Sequence, residues 1–143
     1  MINSTDNKIF HYQTKTLPIH IDSFGHVNNS SYLVLYEQAR WDILNQGNWE
    51  VDRIQKDKIG PVLLNVNLSF KKELKLGESI AINSYLRDIK NKKVINFYQE
   101  MVGEKGELAS TALFEIGLFD LQKRKLINIT NDWLFVLGRQ GNI

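Results

Sequence analysis

An α+β fold, with one antiparallel sheet wrapped around a single long buried helix, is predicted by three features of the sequence. Only one long stretch, Ser30 to Gln46, carries apolar residues at helical spacing. One strand-like segment precedes it. Four more follow, separated by short polar or glycine-bearing turns, and the chain shows no internal repeat, low-complexity linker or domain boundary. The whole of residues 1–143 therefore reads as one domain, with its core between about residues 9 and 131.

Taken in order, Ile9 to Ile21 is rich in aromatic and β-branched residues and is expected to be a strand, with Pro18 marking an edge or a bulge. A loop from Asp22 to Asn28 follows, marked by Ser23 and Gly25. In the helix, Tyr32, Leu35, Tyr36, Ala39 and Ile43 form one apolar face, with Asn29 or Ser30 as N-cap and Gly47 just past the end. Leu33, Val34, Trp41 and Leu44 add apolar surface elsewhere, so the helix is expected to be buried rather than laid on a surface. Glu37 and Arg40, three residues apart, are placed to pair. A polar, partly amphipathic connector over 48–58 ends at Gly60-Pro61, a turn signal. Leu64 to Phe70 alternates as a half-buried strand. Ser79 to Leu86 and Val94 to Val102 are the next two strands, divided by a polar turn over 88–92, and Gly103 to Gly106 marks another turn. Leu108 to Leu121 is nearly continuously apolar, as a central strand covered on both faces would be. A helical turn is expected around Trp133 to Leu137.

Composition narrows the chemistry. Without a single cysteine, disulfides, Cys-ligated zinc, iron–sulfur clusters and thiolate nucleophiles are excluded, leaving oxygen and imidazole groups for any catalysis. Eighteen basic against sixteen acidic residues leave a formal charge of +2, too little to suggest a nucleic-acid partner. The amino end, MINSTDNK, has no apolar leader, and no apolar run reaches the roughly 18 to 20 residues that cross a membrane. A cytoplasmic protein acting on small molecules, without a membrane span, is the expectation.

The informative stretch runs from Ile21 to Arg40. An acid, Asp22, at a strand end is followed by a glycine loop with His26 and Asn28, and the buried helix then begins at Asn29 or Ser30. Helix N-termini offer unpaired N–H groups and partial positive charge, which polarise a carbonyl or hold an anion. A carboxylate beside them can activate water or attack directly. Taken singly, each residue also has a structural reading. Asp22 suits a turn, His26 a hydrogen-bonded loop, and Asn28 and Asn29 a cap, while Glu37 and Arg40 suit an intrahelical pair.

Together, Asp22, Phe24, Gly25, His26, Val27, Asn28 and Asn29, then Tyr32, Leu33, Tyr36, Glu37, Ala39 and Arg40, follow the pattern D-x-F-G-H-V-N-N-x-x-Y-L…E-x-x-R. In this the chain resembles the acyl-CoA thioester hydrolases of the hotdog superfamily, in the 4-hydroxybenzoyl-CoA thioesterase-like branch that includes the long-chain acyl-CoA thioesterase type. Phe70, Leu74, Gly77 and Glu78 fit the element leading into the third strand, and the resemblance spans Ile9 to Asn131. It implies a hotdog fold and hydrolysis of an acyl thioester, with Asp22 as catalytic carboxylate. Backbone N–H groups near Asn28, Asn29 and Ser30 would polarise the carbonyl, and His26 and Asn29 would orient water or substrate. No metal or cofactor is implied.

Some relatives carry histidine where this chain has Asn29, so His26 stays open between an orienting and a structural role. In other hotdog branches the helix carries the essential carboxylate, which would here be Glu37. Tyr32, Tyr36, Lys71, Lys72 and Arg87 are candidates for substrate contact. Those three basic residues, with Lys90, Lys92 and Lys93, are placed to meet CoA phosphates or an acidic carrier protein. The resemblance also implies a homodimer or homotetramer with active sites between subunits. Competing readings are an acyl-carrier-protein thioesterase, a non-catalytic acyl-thioester binding module and a hotdog dehydratase. His20, Asp22 and His26 match no standard metal spacing.

Overall fold

The computed structural model describes residues 7–140; most of the polar leader therefore lies outside the described residues. Strand β1 (Ile9–Lys15) leads to helix α1 (Asn29–Gln46) and a short helix α2 (Val51–Asp57). Strands β2 (Ile59–Phe70), β3 (Ser79–Asn91), β4 (Val94–Val102) and β5 (Leu108–Asp120) follow, then β6 (Lys125–Ile127) and helix α3 (Asn131–Val136). One antiparallel sheet runs β1-β3-β4-β5-β2, with β6 paired to the far end of β5. The four strands after the helices are thus not laid down in sequence order: β3, β4 and β5 form a meander, and β2 pairs with β5 on its other side.

The inner face of the sheet carries the core. β4 alternates strictly, burying Ile95, Phe97, Gln99 and Met101 against α1. Opposite them, α1 buries Tyr32, Leu35, Tyr36, Ala39 and Ile43. Gln99 is a polar group at the centre of this core, and its bonds account for its burial. Its Nε2 donates to the Tyr36 carbonyl at 3.2 Å and to Ser84 Oγ at 3.0 Å, while its Oε1 accepts from Arg40 at 2.9 Å.

Several sequence expectations are corrected. The first strand ends at Lys15, not Ile21, because Pro18 opens a 3-10 turn over Pro18–His20, where its fixed φ and missing N–H cost nothing. Gly60-Pro61 is not a turn. Both residues lie within β2, an edge strand, where a missing ladder donor is tolerated. A Cβ at 60 would sit 3.0 Å from the Ile54 side chain of α2, which would have to give by a few tenths of an ångström. The connector over 48–58 is itself helical, closed by Lys58 in the left-handed region at φ 59°. The polar run over 88–92 mostly extends β3, since Asp88 accepts from Asn96 at 2.7 Å and Lys90 pairs with Glu115 across the sheet. Strand β6 carried too few residues to register in the sequence pattern.

The helix is only half covered. Val34 is 49% exposed and Glu37 and Gln38 are exposed, while Leu33 and Trp41 are half-buried against the core and Leu44 lies within it. Likewise β5 alternates: Thr111, Leu113 and Glu115 on its outer face are only half-buried. The reason is common to both. A single sheet covers one side of one helix, and towards the β2 edge the covering is incomplete although Tyr32 meets Phe70 there. There the inner-face residues Leu63 and Phe70 remain 44% and 51% exposed.

Candidate active site

Asp22 stands directly after Ile21, which pairs with Val27 in an isolated antiparallel bridge rather than ending a strand. Between the two, the chain closes a tight turn. The Gly25 N–H donates to the Asp22 carbonyl at 3.1 Å, the Asp22 N–H donates to the His26 carbonyl at 3.1 Å, and the Phe24 N–H donates to Asp22 Oδ1 at 2.9 Å. Gly25 sits at φ +85°, a conformation that a residue with a Cβ adopts only under strain. Asp22 is thereby held by its own loop through Oδ1, while Oδ2 has no hydrogen-bond partner among the described residues.

The loop is anchored from both sides by backbone. The Val27 N–H donates to the Leu74 carbonyl at 2.8 Å, and the Asn28 N–H to the His20 carbonyl at 2.8 Å. His20 is 5% exposed, and its Nδ1 accepts the Leu17 N–H at 2.9 Å, closing the 3-10 turn that delivers the chain to Asp22. The sequence singled out His20 only as a possible metal ligand with Asp22 and His26, not in this positioning role. His26, in contrast, is half-buried. Its Nδ1 lies 3.3 Å from the Val27 carbonyl, and its ring stacks on Phe24 with centroids 6.1 Å apart.

Asn28, not Asn29 or Ser30, is the N-cap of α1. It adopts an extended conformation and makes no side-chain cap bond; its amide donates instead to Ser30 Oγ at 2.8 Å. Asn29 and Ser30 are exposed in the first turn, so their backbone N–H groups stay open to an oxygen from outside. Asp22, His26, Asn28, Asn29 and Ser30 are thus brought together in one loop and helix start. Among the described residues no three His, Asp or Glu side chains gather to hold a metal ion, so His20, Asp22 and His26 do not form a ligand set.

The other candidates scatter. Tyr36 is fully buried, its hydroxyl donating to Ser110 Oγ at 2.8 Å and its ring edge-on to Phe114, which takes it out of reach of a substrate. Tyr32 is also buried, edge-on to Phe70; burial raises its phenol pKa, with Glu78 and Glu73 adding to the effect. Lys72 pairs with Glu107 at 2.6 Å, whereas Lys71 and Arg87 are exposed. Glu37 and Arg40 do not bond to each other. Glu37 accepts from Trp41 Nε1 at 3.3 Å, and Arg40 turns inward to Gln99, its guanidinium 4.4 Å from the Phe114 ring centre. Burial pulls the Arg40 pKa down to about 10, against the opposing effect of Glu37.

A cavity of about 210 Å3 opens beside the second half of α1. Glu37, Arg40 and Trp41 form its helix wall, Pro61 and Leu63 its β2 wall, and Trp133 of α3 part of its lining. No sequence signal gathers these residues, since they come from elements far apart along the chain.

Comparison with known proteins settles the family. Residues 17–135 match the model of the thioesterase-like superfamily. The chain belongs to that superfamily. Its sequence is 27% identical over 120 residues to the long-chain acyl-CoA thioesterase FadM of Escherichia coli, covering 84% of this chain and 90% of that one. Among solved structures, YbaW, a probable thioesterase from Escherichia coli, is 27% identical with a TM-score of 0.76, covering 89% of this chain and 95% of that chain. Slr0204, a 1,4-dihydroxy-2-naphthoyl-CoA thioesterase from Synechocystis, superimposes with a TM-score of 0.81 at 16% identity, covering 91% and 96%. The architecture is the hotdog fold, as the resemblance implied. The superfamily match takes in the Asp22 loop, the whole of α1 and all of the cavity lining except Leu137.

Proposed function

We propose that this thioesterase-like protein hydrolyses acyl-CoA thioesters to a free carboxylic acid and CoA, with Asp22 as the catalytic carboxylate. The observation that carries this reading is Asp22, tethered through one carboxylate oxygen and free at the other, beside the open first turn of α1 within a superfamily match spanning most of the chain. The thioester oxygen would lie against the N–H groups of Asn29 and Ser30, where developing negative charge meets fixed dipoles. Attack assisted by Asp22 forms the new C–O bond as the C–S bond breaks. The departing thiolate, of ordinary thiol pKa about 8.5, needs no acid to leave. His26 and Asn29 orient water or substrate, and the exposed Lys71 and Arg87 are available to the CoA phosphates.

The enzyme acts as a homodimer or a higher homo-oligomer. β2 is a twelve-residue edge strand with no charged residue, and edges of that kind are usually blunted or paired. Next to it, Leu63, Phe70 and Val34 present apolar surface that this chain leaves open. A second copy across a two-fold axis covers both, and light scattering after size-exclusion chromatography showing a monomer at working concentration would remove this part of the reading. No helix among the described residues is long and apolar enough to cross a membrane, and we place the enzyme in the cytoplasm.

The test is thiol release from a panel of acyl-CoAs and acyl-carrier-protein thioesters by the wild type and Asp22→Asn. The expected result is release from acyl-CoA that falls at least about a hundredfold in kcat in the variant, with folding unchanged. No release from any substrate would favour a binding module, and release from carrier-protein thioesters alone would change the substrate.

A further inference from the structure

Of His11, His20 and His26, only His20 is buried. Its ring makes one hydrogen bond among the described residues, in which the Leu17 N–H donates to Nδ1 at 2.9 Å. A backbone N–H can only donate, so Nδ1 carries no proton in this arrangement and the single ring proton sits on Nε2. The main chain returns the contact, since the His20 N–H donates to the Leu17 carbonyl at 2.9 Å. Residues 17 and 20 are thereby clamped together across the 3-10 turn.

What hangs from that clamp is the Asp22 loop. The His20 carbonyl accepts the N–H of Asn28, the N-cap of α1, at 2.8 Å, and Ile21 bridges to Val27. Asp22 is the next residue, and its own N–H and carbonyl are bonded to His26 and Gly25. A shift at residue 20 is therefore carried to Asp22 and to the helix start through bonded backbone.

The two histidines of this region are wired in opposite senses. His26 Nδ1 lies 3.3 Å from the Val27 carbonyl, which only accepts, so that nitrogen already carries a proton and a second ring proton leaves the bond intact. On His20 the second proton lands on Nδ1, facing the Leu17 N–H donor to donor, and the bond is lost. The charged groups on the segments packed around this stem are Lys15 at the end of β1, Glu73, Lys75 and Glu78 within 71–78, and Asp22 itself, while the first turn of α1 has none. None of them bonds to the His20 ring among the described residues. Glu78 is engaged by the Lys75 and Glu104 N–H groups and Asp22 by that of Phe24, so protonation of His20 finds no carboxylate already paired with it.

Building on the reading of Asp22 as the catalytic carboxylate, we infer that His20 is its positioning residue: the unprotonated ring holds the stem that sets Asp22 beside the start of α1, and protonation of the ring releases that stem and lowers turnover.

Two substitutions in the full-length protein separate the acceptor from the ring. His20→Asn keeps an acceptor oxygen near the place of Nδ1 and takes up no proton, whereas His20→Phe keeps a planar ring without an acceptor. On the acyl-CoA that the wild type cleaves fastest, His20→Phe is expected to lose about tenfold or more in kcat with KM within about threefold, because the loss acts through Asp22 and not through substrate contact. His20→Asn should keep kcat within about threefold of wild type at about pH 8. As pH falls from about 8 to about 5, the span in which imidazoles change charge, the wild type should lose about fivefold or more relative to His20→Asn, since Asp22 and His26 are common to both. A merely structural ring would leave the two profiles parallel. Parallel profiles, a Phe variant with wild-type kcat, or an Asn variant as slow as the Phe variant each overturn the assignment; should His20→Phe not fold, the two pH profiles decide it. Amide hydrogen exchange over residues 22–28 needs no turnover, and it should quicken about tenfold or more in His20→Phe and match wild type in His20→Asn. If the wild type cleaves no thioester but exchange follows this pattern, the functional reading fails and the His20 clamp stands. If thioesters are cleaved in dependence on Asp22 while neither kcat nor exchange responds to His20→Phe, the role given to His20 alone fails.

Discussion

The two ends of helix α1 are built on different plans. At its start, the Asp22 loop is shaped mainly by short hydrogen bonds, most of them within residues 17–31, with Val27 buried beneath it and Asp22 and His26 half-buried at the surface. Along its second half, Arg40, Trp41 and Leu44 meet Phe97, Ile116 and Trp133, more than fifty residues away, around an apolar space. The first end fixes Asp22, the proposed catalytic carboxylate, in place through backbone, which tolerates little change in geometry. The second is shaped by side chains from elements far apart along the chain. The proposed catalytic loop and the cavity thus lie at opposite ends of α1.

That division can be tested by perturbing each end separately. The largest expected effect is at the start: Asp22→Asn should cost at least about a hundredfold in kcat, and should exceed the loss in Glu37→Gln by at least about tenfold. Equal losses in the two would move the essential carboxylate into the helix. In the interior, Gln99→Leu deprives the buried Arg40 of its acceptor and also strips a donor from Ser84 and the Tyr36 carbonyl, so urea denaturation should show a loss of about 2 to 3 kcal/mol. The Asp22 loop should be less sensitive in overall stability. Gly25→Ala faces no steric neighbour but must hold φ +85°, at a cost of about 1 to 2 kcal/mol in denaturation and a fall in kcat as Asp22 shifts.

The smallest effect concerns pH and belongs to the sheet and helix interior. Burial, with help from Glu100, pushes the Tyr98 phenol up to about 12, and burial raises Tyr32, Tyr36 and Tyr85 as well. These groups hold their protons more tightly when folded. Their stabilising contribution is complete below the unfolded phenol value of about 10 and is lost as pH rises from there towards 12. Arg40, lowered by burial to about 10, works in the opposite sense, since its proton is released first in the folded state. Four phenols outweigh one guanidinium, so the urea midpoint should fall progressively above about pH 10. A midpoint that is flat or rises there would show that these phenols do not govern alkaline stability.

How much could be read from sequence follows the same divide. The loop and helix after Asp22 were legible, with the N-cap at Asn28 instead of Asn29 or Ser30, because turns and glycines act over a few residues, whereas the strand before Asp22 ends six residues earlier than expected. Val94 to Val102 was legible because its alternation is strict from end to end. Pro18 and Gly60-Pro61 were misread for one reason: local turn chemistry says that a chain bends or donates poorly, not whether a neighbouring strand accepts it. The partial exposure of α1 was hidden because apolar residues look alike whether they face their own sheet or the open β2 edge. Arg40 is the sharpest case. Its spacing from Glu37 pointed to a surface pair, but Gln99 and Phe114, brought in by β4 and β5, offered the guanidinium an acceptor and a ring face inside.

The sequence by itself determined which group is the candidate for the chemistry. Lacking cysteine and placing Asp22 ahead of a glycine turn and a helix start, it left a carboxylate beside backbone N–H groups as the reactive arrangement. Only the tertiary structure decided which polar groups share a cavity and which are locked in the core, as Glu37 and Arg40 are separated from Tyr36. The physical reason is range. Turns and caps are satisfied by near neighbours, whereas burial and the pairing of a buried donor depend on strands whose order, β1-β3-β4-β5-β2, is not the order of the chain.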